Sequence, residues 1–281
     1  MALGSMPKFA DLHIHTHYSD STSSPQEVVE QSLAAGLSCI AITDHDTIDG
    51  IRPIMEIASQ HDLEIISGLE LSTEMNGKDI HILGYGFDYE NREFQDQLKK
   101  MQDVRVERME EMIVKLKKFG IDNIQLEEVC SLAKSQAVGR PHLARVLIEK
   151  GWVSNYRAAF DKYLAEGAAA YVPKFKQTPF EAIQLIKKVG GIAVLAHPMI
   201  TSVDELIPGF AREGLEGLEV YYSNTTDTFI EFYEGIARKN SLLLTGGSDA
   251  HGQAKRHTYV GRRNIPYELV EKMKERIMKR M

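Results

Sequence analysis

Phe9-Ala10-Asp11-Leu12-His13-Ile14-His15-Thr16-His17-Tyr18-Ser19-Asp20 begins as an apolar run and ends as a polar cluster. Phe9, Leu12 and Ile14 read as a buried strand, and on a strand the side chains at i, i+2 and i+4 share one face. That alternation places His13, His15 and His17 on one side, with Asp11 on the same face below them. A lone His here would read as structural. Three at period two with a trailing Asp20 read as metal ligands, since neutral imidazole suits zinc, and also iron and manganese when oxygen ligands complete the shell.

The order of apolar run, polar cluster and helix recurs outward from this stretch. Cys39-Ile40-Ala41-Ile42-Thr43 delivers Asp44-His45-Asp46, and Leu63 to Ser72 carries Glu70. Asp79 to Tyr85 carries His81 and follows Asn76-Gly77, a strong hairpin signal that brings Glu70 near His81. Ile192 to Ala196 ends in His197-Pro198, Gly217 to Tyr221 is a further run, and Ser241 to Thr245 delivers Gly246-Gly247-Ser248-Asp249-Ala250-His251. Helices are expected from Ser24-Pro25 to Ala35, Ile48 to Gln60, Thr178-Pro179 to Val189, Leu206 to Arg212, Thr225 to Lys239 and Pro266 to Lys279. Roughly seven strands with mostly helical crossovers predict an α/β chain folded as a parallel, TIM-like barrel rather than an open doubly wound sheet. Such a barrel gathers the C-terminal ends of its strands on one face, so these clusters are expected to converge. The Gly-rich dinucleotide fingerprint is absent from the first strand turn, which argues against a Rossmann domain.

Residues 92–170 differ in character, being charge-rich and helical without a convincing strand. Phe94, Leu98, Met101, Val104, Met112, Leu116 and Phe119 form one stripe with Gly120 as C-cap. The pattern predicts a helical insertion that caps the substrate, between barrel segments 7–91 and 171–281. Within it Gly139-Arg140-Pro141-His142 opens a helix. It reads equally as a plain helix start with exposed bases or as a phosphate clamp, because Arg offers a bidentate fork and a helix N-terminus offers free N–H groups.

Composition narrows the function classes. The chain has 281 residues, 43% hydrophobic and 26% charged, as expected of a globular protein. Its net charge of −7 argues against binding long nucleic acid through a basic face, but not against a small anion held beside divalent ions. No apolar run approaches the ~18 residues of a membrane span, and nothing suggests export, so a cytoplasmic location is expected. Cys39 and Cys130 are too few for a disulfide framework or a Cys-based metal site. Met1 to Met6, with Gly4-Ser5 before a second Met, reads as an artificial cloning remnant.

The joint set Asp11-x-His13-x-His15, Asp20, Thr43-Asp44-His45-Asp46, Glu70, His81, Ala196-His197-Pro198 and Ser248-Asp249-x-His251 resembles the motifs of the PHP family of metal-dependent phosphoesterases. The resemblance runs from Phe9 to the end, with every ligand-type motif filled. Gly139-Arg140-Pro141-His142, Tyr171-Val172-Pro173 and Gly191 to Pro198 are similar to the branch acting on nucleotide phosphates, of the 3′,5′-nucleoside bisphosphate phosphatase and 5′-to-3′ exoribonuclease type. It implies two or three divalent metals, manganese, iron or zinc. His13, His15, Glu70 and Asp249 would hold the first, Glu70 as a bridge with His81 and His197 the second, and Asp20, His45 and His251 the third. Metal-activated hydroxide would then attack a phosphate monoester or terminal phosphoester of a small nucleotide or short oligonucleotide, with Glu70, Asp249 and His197 at the reacting centre. Arg140, His142, Lys174, His17 and His257 are candidates for substrate contact, His197, His257 or metal-bound water for the proton donor, and Asp44, Asp46 and Asp11 for supporting the ligands. Asp44 and Asp46 are expected to orient imidazoles through the second ring nitrogen. The protein is expected to work as a monomer or weak oligomer. Histidinol-phosphate hydrolysis and a regulatory module without turnover are the competing readings.

Overall fold

The computed structural model describes residues 7–173, 177–255 and 257–279. One sheet holds β1 (Phe9–Ile14), β2 (Cys39–Ile42), β3 (Glu64–Met75), β4 (Lys78–Tyr85), β5 (Ile192–Leu195), β6 (Gly217–Tyr222), β7 (Leu243–Gly247) and β8 (Ile265–Pro266), in the order β7-β6-β5-β4-β3-β2-β1-β8. The edges nearly meet: Ile14 bridges to Ala250 in parallel, and the His15 N–H donates to the Ala250 carbonyl at 3.0 Å. The expected barrel is therefore present, with two strands, β4 and β8, departing from an all-parallel sheet. β4 runs antiparallel to both β3 and β5. Asn76 and Gly77 both take positive φ, 54° and 75°, and a two-residue turn of this kind can only reverse the chain. The two-residue β8, antiparallel to β1, carries no sequence signal of its own.

The helices start where local chemistry places them. α1 (Pro25–Ala34) and α2 (Ile51–Ala58) pack outside β1 and β2, and Ser24 and Glu27 cap α1 reciprocally. α3 (Arg92–Lys117) spans two environments. Phe94 and Leu98 join the core shared with the barrel strands, whereas Met109, Met112 and Leu116 join a separate core. That second core is built with α4 (Leu126–Cys130), α5 (Arg140–Glu149) and α6 (Tyr156–Ala159). Phe119 lies beyond the end of α3 and is 53% exposed, so it leaves the predicted stripe. α7 (Pro179–Lys188), α8 (Pro198–Thr201), α9 (Ile207–Glu213), α10 (Asp227–Lys239) and α11 (Tyr267–Met278) complete the shell. α11 sends Val270 and Met273 into a cluster with Leu12, Ala41, Tyr85 and Val194. No helix among the described residues is long and apolar enough to cross a membrane.

Two ladder irregularities shape the site. The β1–β2 register shifts between Asp11 and Ile14, and the β6–β7 register between Glu219 and Tyr221. A bulge re-aims the side chains that follow it.

Candidate metal centre

Glu70, 1% exposed in the middle of β3, is the hub on which the strand ends converge. Its Oε2 lies 3.2 Å from His13 Nε2, 3.2 Å from His15 Nε2 and 3.3 Å from His45 Nδ1. Its Oε1 lies 2.8 Å from His81 Nδ1 and 3.1 Å from His197 Nε2. Asp249 Oδ1 is 3.3 Å from both His15 Nε2 and His251 Nδ1. Asp20 is 3.2 Å from His251 Nε2 and 3.9 Å from His45 Nε2. Three overlapping groups have donor atoms within 4.8 Å of one another: His15, Asp20, His45 and His251; His13, His15 and Glu70; His45, Glu70 and His81.

The donor set fits divalent cations. Bonds of ~2.0–2.1 Å to a central ion separate neighbouring ligand atoms by about 2.9–3.4 Å, and His13 Nε2 and His15 Nε2 stand 3.1 Å apart. His15 Nδ1, His45 Nδ1 and His197 Nδ1 are buried without a hydrogen-bond partner. Nitrogen and oxygen donors without thiolate suit manganese, iron or zinc. Electrostatics points the same way. Burial opposes ionisation of Glu70, Asp20 and Asp249, yet neighbouring imidazoles and Lys255 outweigh it and hold all three well below the usual carboxylate range. Those neighbours are chiefly His45 and His81 for Glu70, His251 for Asp20, and Lys255 for Asp249. Burial also opposes charging of His15, but Asp249 and Glu70 push its imidazole up to about 9. Positive charge is thus what the cluster is built to receive.

Backbone strain marks the same strand ends. Asp46, His197 and Asp249 take positive φ of 51°, 26° and 52°, a conformation costly for residues with a Cβ and recurrent at functional sites.

The supporting carboxylates differ from expectation. Asp44 accepts from the Thr16 N–H, Thr16 Oγ1 and Ser19 Oγ at 2.6–2.7 Å, so it shapes the loop before Asp20 rather than orienting an imidazole. Asp46 accepts from the Ser72 N–H at 2.8 Å and from Arg105 Nε at 2.8 Å, tying β3 to α3. Asp11 is spent on the backbone N–H groups of His13, Ser248 and Gly261, and its burial raises it to about 6. The residue that does orient an imidazole is Glu219. Its Oε1 accepts from His13 Nδ1 at 2.8 Å and its Oε2 from the His197 N–H at 2.8 Å. The sequence signal was a single carboxylate inside the apolar run Gly217-Leu218-Glu219-Val220-Tyr221. Tyr222 and Lys255, also unanticipated, both donate to Asp249 Oδ2, at 2.8 and 2.6 Å.

The substrate-contact candidates separate as clearly. His17 lies past the end of β1, half-buried and edge-on to Tyr18, outside all three clusters. His142 is buried: Nδ1 accepts the Gly139 N–H at 3.0 Å and Nε2 donates to the Ser19 carbonyl at 2.8 Å, so both ring nitrogens are spent on structure. His257 is exposed in a turn, and Lys174 lies outside the described residues. Arg140 does face the centre. A cavity of about 160 Å³ has Asp20, His45 and His81 on its lining together with Arg105, Arg108 and Arg140.

The chain is 36% identical over 251 residues to a 5′-3′ exoribonuclease of Haemophilus influenzae, covering 88% of this chain and 91% of that protein. It is 29% identical to a 3′,5′-nucleoside bisphosphate phosphatase of Chromobacterium violaceum, covering 89% and 90%. A crystal structure of a candidate metal-dependent phosphoesterase from Bifidobacterium adolescentis superposes with a TM-score of 0.86 at 28% identity, covering 95% of this chain and 96% of that one. Residues 11–279 match the family described as PHP domain, and the chain belongs to that family.

Proposed function

We propose that the protein is a metal-dependent hydrolase that removes a phosphate from a small nucleotide or from the end of a short oligonucleotide. The observation that carries this reading is Glu70, whose two oxygens face two separate sets of imidazoles. In this reading His13, His15, Glu70 and Asp249 hold one cation, Glu70, His81 and His197 a second, and Asp20, His45 and His251 a third. Bound cations supply Lewis acidity, easing deprotonation of water at neutral pH and offsetting charge that builds on phosphoryl oxygens. Glu219 keeps the proton of His13 on Nδ1 and so leaves Nε2 bare toward the centre. Arg140, beside His45 and His81 in the cavity lining, binds substrate phosphate by a fork of N–H donors. Membership in the PHP family and the nucleotide-acting names of two relatives support the substrate class.

The test is phosphate release with each metal restored after chelation. Glu70→Gln is expected to abolish release, and retained activity would overturn the bridging role.

A further inference from the structure

The carboxylates of the centre do not present their oxygens alike. Both oxygens of Glu70 and both of Asp20 face imidazoles. Asp249 is divided. Its Oδ1 lies 3.3 Å from His15 Nε2 and 3.7 Å from His13 Nε2, whereas its Oδ2 accepts the Tyr222 hydroxyl at 2.8 Å and Lys255 Nζ at 2.6 Å. A carboxylate oxygen offers about two lone-pair sites, so Oδ2 is filled by two donors that are not metal ligands, and Oδ1 is the oxygen left for a cation.

Both donors are held by the fold. Tyr222, 5% exposed, ends β6 with its ring edge-on to that of His197, 5.7 Å between centroids. Arg263 donates to the Tyr222 carbonyl at 3.1 Å and to the Thr225 carbonyl at 3.0 Å. Lys255 ends the short turn Gly252–Lys255 that follows His251, and its carbonyl accepts the Thr258 N–H at 3.1 Å. The Asp249 N–H is anchored on the His13 carbonyl at 2.8 Å. Charge compensation of Asp249 would need Lys255 alone. The buried Tyr222 hydroxyl adds no charge, yet it occupies the same oxygen.

We propose that Tyr222 and Lys255 are positioning residues that limit Asp249 to coordination through Oδ1. This rests on the reading above, in which His13, His15, Glu70 and Asp249 hold one cation. A second bond from Oδ2 would take up a position on that cation, and a catalytic cation needs one open to water or a phosphoryl oxygen.

The experiment loads the metal-free protein with cobalt(II) and compares wild type with Tyr222→Phe, Lys255→Met, the double variant and Lys255→Arg. It reads the affinity for the first equivalent by chelator competition, the visible d–d absorption, which weakens as ligands are added to the ion, and phosphate release. Tyr222→Phe keeps the ring against His197, and the Lys255 side chain is 48% exposed, so circular dichroism should be unchanged. The double variant frees Oδ2. It is expected to bind the first equivalent at least as tightly as wild type, to absorb more weakly, and to lose kcat by roughly 10- to 100-fold with KM little changed. Each single variant should lie between, and Lys255→Arg, which restores a donor, should return toward wild type. Should the double variant fail to fold, Lys255→Met decides by the same readouts. A loss of affinity with an unaltered spectrum would mean that the donors only hold Asp249 in place, and an unaltered spectrum at unaltered affinity that they do not govern its coordination. Either result overturns the proposal. Affinity and spectrum need no turnover, so a spectrum that changes as expected without phosphate release from any substrate sustains the coordination role and refutes the phosphoesterase reading.

Discussion

Replacing Glu219 by Gln removes a charge and one acceptor from a position that has two donors to satisfy. Glu219 is 1% exposed and accepts both His13 Nδ1–H and the His197 N–H at 2.8 Å. Glutamine has one oxygen, so one donor must face an NH2 group. The backbone N–H of His197 cannot change sides. His13 can, by moving its proton from Nδ1 to Nε2, and Nε2 is the atom 3.1 Å from His15 Nε2 and 3.2 Å from Glu70 Oε2. The variant therefore places a proton where a cation should bind. Loss of such an orienting carboxylate typically lowers metal affinity by about 10- to 100-fold, or roughly 1.4–2.7 kcal/mol. Chelator-competition titration of the first equivalent of metal measures this directly, with circular dichroism to confirm the fold. Affinity within twofold of wild type would refute the tautomer argument.

Three further outcomes follow from the same geometry. Arg105→Leu leaves Asp46, 4% exposed at its side chain, without its cationic partner, and should destabilise the protein by about 2–4 kcal/mol in urea unfolding, recovered in part by Asp46→Asn. Because the metal-free His15 is pushed up to about 9, a bound cation must displace its proton, so metal affinity should rise with pH up to about 9 and then level off. The stability of the metal-free protein should move the opposite way. A raised folded-state pKa stabilises fully below the unfolded value near 6.5, and that contribution is lost as pH rises through about 9. Calorimetry in buffers of different ionisation enthalpy reads the proton release, and a pH-independent affinity would sink the assignment of His15 as a ligand.

Much of the barrel was legible because its signals are local. The Asn76-Gly77 turn and the Ser24 and Thr178 caps act within a few residues, and short apolar runs ending in His or Asp mark strands and their ends. The residue types at the centre were legible for the same reason, since nearly every strand end carries a group with a lone pair. Their partners were not. Asp44 and Asp46 look like ligand supports and His142 like a substrate contact by type and position, yet each is spent on holding a loop or a helix, because the nearest donors belong to Thr16, Ser72, Arg105 and Gly139.

By itself the sequence marked which side chains could hold metal and that most of them would sit at or just past strand ends, although Glu70 and His81 lie within β3 and β4. Only the tertiary structure decided which of them meet. Glu219 reaches His13 across 206 residues of chain, Asp11 is spent on backbone N–H groups of Ser248 and Gly261, 237 and 250 residues away, and Arg108 is buried by elements outside its own helix. Period-two alternation and capping are properties of neighbouring residues. The closure of a barrel, and the donors left over once it closes, are properties of strands far apart in the chain.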